Sequence, residues 1–122
     1  MNKFAKAFHI PGTLSANLDI RFAVSAPCTL VHVSAVTSND SDATMELGDS
    51  VDPNGFLVAC VVGDSQVPVE KEWGDFDGAL VDAGKEPPHL DDGDIFVITI
   101  DYDGATGTAG DDLTIVLEFE EG

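Results

Sequence analysis

Asp94-Ile-Phe-Val-Ile-Thr-Ile-Asp-Tyr-Asp-Gly104 and Asp111-Asp-Leu-Thr-Ile-Val-Leu-Glu-Phe119 decide the fold class of this chain. Both are rich in β-branched and aromatic residues, the second placing an apolar residue at every other position, and the small-residue stretch between them predicts a hairpin. In the second, Leu113, Ile115, Leu117 and Phe119 form a single inner row.

The same period of two runs outward through the chain. Leu18–Val24 places Leu18, Ile20, Phe22 and Val24 on one face, the pattern of a half-buried strand. Phe4, Phe8 and Ile10 mark an earlier strand that breaks at Pro11-Gly12, and Pro27 precedes a third from Cys28 to Val36. Ala43–Leu47 alternates again, and the turn residues Asp52-Pro53-Asn54-Gly55 pair it in a hairpin with the run Phe56–Val62. The continuous apolar character of that run predicts burial on both faces. Pro68, between Val67 and Val69, removes a backbone donor and points to an edge strand. From Glu72 to Leu90 no period holds, and Trp73, Phe76, Leu80 and Val81 are scattered among glycines and the pair Pro87-Pro88. About eight strands with no helical stripe predict a single all-β domain, an antiparallel β-sandwich of jelly-roll-like form.

With 122 residues and 43% apolar content, the chain can bury a real core. Its 23 acids against five Lys and Arg leave a formal charge of -18. Such a field repels phosphate backbones and anionic membranes, so no nucleic acid and no membrane partner is expected. The excess of Asp and scarcity of Lys also fit a protein working in salty water. No run of about 18 apolar residues is present to span a bilayer, and residues 1–10 lack the apolar core of a secretory leader.

Chemistry-bearing patterns are sparse. Cys28 and Cys60 sit in no close-ligand spacing, which favours buried free thiols, with a disulfide between strands as the alternative. Gly48-Asp49-Ser50 and Gly63-Asp64-Ser65 lack the strand-to-helix context that exposes a nucleophile, so both read as turns. His9, His32 and His89 are remote from one another, and no zinc spacing occurs. Carboxylate pairs discriminate nothing in so acidic a chain. Calcium is the more serious possibility, because Asp101-x-Asp103-Gly104 and Asp111-Asp112 flank one loop. The EF-hand pattern fails there, with Ala105 in the place of a ligand. The same choice between a solvated turn and a calcium loop holds for Asp91, Asp92 and Asp94, and for Asp49 and Asp52. The expectation is a protein that is not an enzyme and has no cofactor, with calcium left open.

The segment Ile98–Leu117, closing on Glu121-Gly122, together with Ala43–Gly48 and Asp52–Phe56, resembles small β-rich virion proteins encoded near the head genes of tailed bacteriophages. The resemblance implies a capsid decoration or cement protein on the exterior of the virion, made in the host cytoplasm. Its implied partner is the major capsid protein lattice, engaged as a homo-oligomer with a trimer favoured. No active-site residues come with that family. Apolar contacts must supply most of the affinity of such a protein, which makes Phe4, Phe8, Trp73 and Phe76 the candidate partner-binding anchors, each with core packing as its alternative role. A calcium- or carbohydrate-binding β-sandwich module is the alternative function, and a small hydrolase the third.

Overall fold

A computed structural model describes residues 2–62, 67–72, 74–82 and 88–122. In chain order the elements are β1 (Lys3–Thr13), β2 (Leu18–Ala23), β3 (Cys28–Val36), β4 (Thr44–Asp49), β5 (Leu57–Val61), β6 (Val69–Glu72), the one-turn helix α1 (Ala79–Asp82), β7 (His89–Leu90), β8 (Ile95–Asp101) and β9 (Asp111–Glu121). They form two antiparallel sheets. One has the order β1-β9-β3-β6, with the two-residue β7 also paired to β3, and the other has the order β2-β8-β4-β5. The fold is an all-β sandwich, as the alternation predicts.

The core is where the inner rows of the two sheets meet. Leu113, Ile115, Leu117 and Phe119 of β9 are fully buried, as are Leu30 and Val33 of β3. Facing them are Phe96, Ile98 and Ile100 of β8 and Met45 and Leu47 of β4, also fully buried. Each such side chain contributes on the order of 1.5–3 kcal/mol relative to exposure. The rings of Phe96 and Phe119 cross edge-to-face at 5.6 Å and lock β8 under β9.

That contact corrects the expected hairpin. β8 pairs with β2 and β4, whereas β9 pairs with β1 and β3, so the two strands lie in opposite sheets and residues 102–110 cross between them. Alternation reports which face of a strand is buried and is silent on its neighbour. Two central strands each have both edges occupied by other partners. The crossing is secured by the loop after β3: Asp42 accepts from the Thr108 N–H at 2.8 Å, and the Asn39 side chain bridges the Ala109 carbonyl and the Asp111 N–H, both at 2.9 Å.

The second hairpin, β4 with β5, forms as expected. Burial of β5 on both faces does not follow, however, because β5 ends its sheet, with Val58 46% and Val61 63% exposed. Residues 77–80 cover its entrance. The Val58 N–H donates to Asp77 at 2.9 Å, the Gly78 N–H to the Phe56 carbonyl at 3.3 Å and the Leu80 N–H to the Gly55 carbonyl at 2.8 Å. Phe76 is driven beneath this cover into the core. β6, expected as an edge strand from Pro68, pairs with β3 alone.

Candidate partner-binding flank

The strand orders leave one long side of the sandwich open, bounded by β1 in one sheet and β2 in the other. Along β1 the even positions turn inward, so Phe4, Phe8 and Ile10 are half-buried while Ala5, Ala7 and His9 are exposed. β2 brings Leu18, Ile20 and Phe22 to the same gap, also half-buried. Phe22 joins the two strands to the centre. Its ring lies 5.8 Å from that of Phe8, 5.4 Å from Phe96 and 6.2 Å from Phe119, and Phe4 stacks on Phe119 at 5.2 Å. The flank is thus a rim of the aromatic core left uncovered.

Lys6 follows the inward parity of its neighbours yet stays exposed, with Nζ 5.6 Å over the Phe22 ring. Phe4, Lys6 and Phe22 line a groove of about 220 Å³ that reaches Glu121. A shallower hollow of about 360 Å³ adjoins it between Lys3, Phe4 and Glu118. Neither Lys3 nor Lys6 forms an ion pair among the described residues, although the chain has 23 acids. Residues 1–18 contain no Asp or Glu, so β1 has no carboxylate of its own. On β2, Arg21 and Asp19 satisfy each other at 2.9 Å, a contact that raises the guanidinium pKa.

Of the four expected anchors, Phe4 and Phe8 lie together on this flank. Phe76 is 4% exposed and serves as a core residue, and Trp73 lies outside the described residues. Lys6 escaped the sequence reading and Phe22 was read only as part of the apolar row of a half-buried strand, although the lack of acids before Asp19 was a legible signal of a distinct surface.

The other expected patterns resolve into structural roles. Asp49 accepts the N–H groups of Val51 and Asp52 at 3.0 and 2.8 Å, so Gly48-Asp49-Ser50 is a capped turn. Gly63-Asp64-Ser65 lies outside the described residues. Around the acidic loop, Asp101 caps the Asp103 N–H at 3.1 Å and Asp103 accepts from the Thr106 hydroxyl at 2.6 Å. Asp112 accepts from the Gly12 N–H at 2.6 Å and the Ser38 hydroxyl at 2.9 Å, bonds that hold its carboxyl below the usual range. These oxygens point to separate donors, and among the described residues no group of three or more His, Cys, Asp or Glu converges at metal-binding distance.

His9, His32 and His89 lie on the outward face of one sheet, each with its own partners. His9 bonds Thr114 at 2.8 Å, and His32 lies 3.4 Å from Glu70 and 3.9 Å from Glu118. His89 meets Thr29 at 3.1 Å and Asp91 at 3.4 Å. Cys28, buried, and Cys60, half-buried, are free, and burial pushes both thiols up, which favours their protonated form.

No protein-family model matches the chain, and no curated protein matches it.

Proposed function

We propose that the chain is a non-enzymatic viral structural protein, a capsid decoration protein that binds the major capsid protein lattice on the virion exterior and stabilises the head. The observation that carries this reading is the open flank. A two-layer body that caps its own turns presents half-buried Phe4 and Phe8 beside Lys3 and Lys6, neither of which forms an ion pair among the described residues, a surface suited to protein contact. The jelly-roll-like form expected from the strand pattern is supported by strand order. With β7 set aside, the sheets run first-eighth-third-sixth and second-seventh-fourth-fifth, so successive strands wrap from sheet to sheet. The -18 charge supports a protein partner over nucleic acid or an anionic membrane.

The test mixes the purified chain with heads stripped of accessory proteins. Saturating, stoichiometric binding and a rise in the temperature at which the heads lose their DNA are expected. Absence of both overturns the reading. Calorimetric titration of the chain with calcium, and then with glycans, distinguishes it from a calcium- or carbohydrate-binding module, for which heat of binding is required.

A further inference from the structure

A glycine that follows Asp or Asn exposes the main chain to attack by its own nitrogen, because it has no side chain to obstruct the approach to the preceding side-chain carbonyl carbon. Four such steps occur here: Asn54-Gly55, Asp77-Gly78, Asp92-Gly93 and Asp103-Gly104. The reaction needs a glycine nitrogen that can shed its proton and turn towards the side chain. An N–H fixed to a carbonyl opposes both.

The fold holds three of the four in that way. The Gly55 N–H donates to the Asp52 carbonyl at 2.9 Å, the Gly78 N–H to the Phe56 carbonyl at 3.3 Å and the Gly93 N–H to the Val24 carbonyl at 2.9 Å. Gly55 and Gly78 are buried as well. Gly104 is exposed, and its N–H donates to no group among the described residues. Asp103 stands at a φ of 42°, in the left-handed region that Asp visits more readily than most residues. Its carboxyl accepts from the Thr106 hydroxyl at 2.6 Å, a restraint from within the same exposed loop. Glycine is needed at 104 for a separate reason. A Cβ there would come within 2.7 Å of the Tyr102 ring and 3.0 Å of the Ala109 Cβ, so the close approach that demands the small residue also creates the reactive step.

We infer that Asp103-Gly104 is a site of spontaneous covalent modification, the one of these four steps that converts while the chain is folded. The Gly104 nitrogen attacks Cγ of the protonated Asp103 carboxyl. Its proton and the carboxyl hydroxyl leave as water, and a succinimide ring closes. Water then opens the ring: addition at Cγ restores aspartate, whereas addition at the former main-chain carbonyl carbon gives isoaspartate, with the chain running through Cβ. One water leaves and one returns, nothing is oxidised or reduced, and the mass is unchanged. The product has an extra main-chain carbon in residues 102–110, which cross from one sheet to the other. It also removes from the main chain the Asp103 carbonyl that accepts the Gly107 N–H at 3.1 Å.

The order of conversion tests this. The purified full chain is held in warm neutral buffer, either folded or unfolded in urea, until the unfolded sample has converted at all four steps. Isoaspartate is located at intervals by acid proteolysis and electron-transfer fragmentation, which distinguishes the two linkages. In urea Asn54-Gly55 is expected to lead, because a side-chain amide is attacked more readily than a carboxylate. In the folded chain Asp103-Gly104 is expected to lead, with the other three slowed several-fold relative to urea. Thr106→Val releases the carboxyl and should speed conversion at 103 several-fold, and Asp103→Glu, which requires a larger ring, should abolish it. Isoaspartate that is absent from position 103 of the folded chain, or that appears earlier at 54, 77 or 92, overturns the inference.

Discussion

A carboxylate one methylene from the backbone can fold back onto a nearby N–H, and this chain uses aspartate that way repeatedly. Asp42, Asp49, Asp75, Asp77, Asp94, Asp101 and Asp112 each accept a main-chain N–H in a loop or at a strand end. Much of the excess of Asp over Glu is therefore architectural. Asp112 is the most consequential, because it ties Gly12 of β1 and Ser38 of the following loop to the start of β9. Those two bonds, the Gly12 N–H foremost, favour its ionised form and depress its pKa in the folded state. A depressed carboxyl pKa contributes stability above the ordinary carboxylate range, and the contribution disappears as the pH falls through the folded value. Asp112→Asn is therefore expected to lower the urea midpoint at neutral pH. The gap to wild type should narrow once the pH enters the carboxylate range and close below it. A gap that stays constant with pH would show that the charge of Asp112 contributes nothing.

At the scale of elements, the segment around Gly78 packs on the turn that leads into β5. Its backbone approaches so closely that a Cβ on Gly78 would overlap the Gly55 carbonyl group and meet the Phe56 nitrogen at 2.5 Å. Gly78→Ala must push the cover off the strand, at a cost of about 1–3 kcal/mol by the usual penalty for overpacking. Urea denaturation reads that loss, and the Val58 amide should exchange faster as its bond to Asp77 opens. Ala79→Ser, exposed and next in the chain, should leave both unchanged. The same elements show what a sequence can disclose. Inward rows such as Leu113, Ile115, Leu117 and Phe119 follow from alternation alone, since burial requires it. The partner of β9 does not, because pairing depends on which rows the other sheet presents, and Phe96 meets Phe119 across the core instead of along a hairpin. Phe56–Val62 misleads for a related reason: an apolar run reads as doubly buried, yet the last strand of a sheet leaves Val58 and Val61 exposed. Of the flank, Phe4 and Phe8 were legible as apolar residues on an early strand. Their openness was not, because it follows from the strand orders that set β1 over β2 at one side of the molecule.

For the molecule as a whole, the dominant long-range term is self-repulsion. The 18 surplus carboxylates on a body this small raise the free energy of the compact state more than that of the expanded chain, and among the described residues Arg21–Asp19 is the one Lys or Arg ion pair available to offset them. Added salt shortens the screening length from about 30 Å at 0.01 M to about 10 Å at 0.1 M, which weakens repulsion between distant acids while leaving the aromatic core untouched. The melting temperature should therefore climb with sodium chloride, steeply at first and then levelling once the screening length falls below the spacing of the acids. For a chain of this size each kcal/mol recovered corresponds to a rise of about 4 °C. A protein whose stability came from surface ion pairs would respond in the opposite sense. Calcium chloride at matched ionic strength sharpens the experiment, since a purely screened chain responds to ionic strength with only a small surplus for the divalent ion. A large, saturable extra rise with calcium would place a specific oxygen site in the acidic loops and favour the calcium-binding module over the decoration protein. A melting temperature indifferent to sodium chloride would instead mean that the acids lie too far apart, or are too well solvated, for their repulsion to govern the fold.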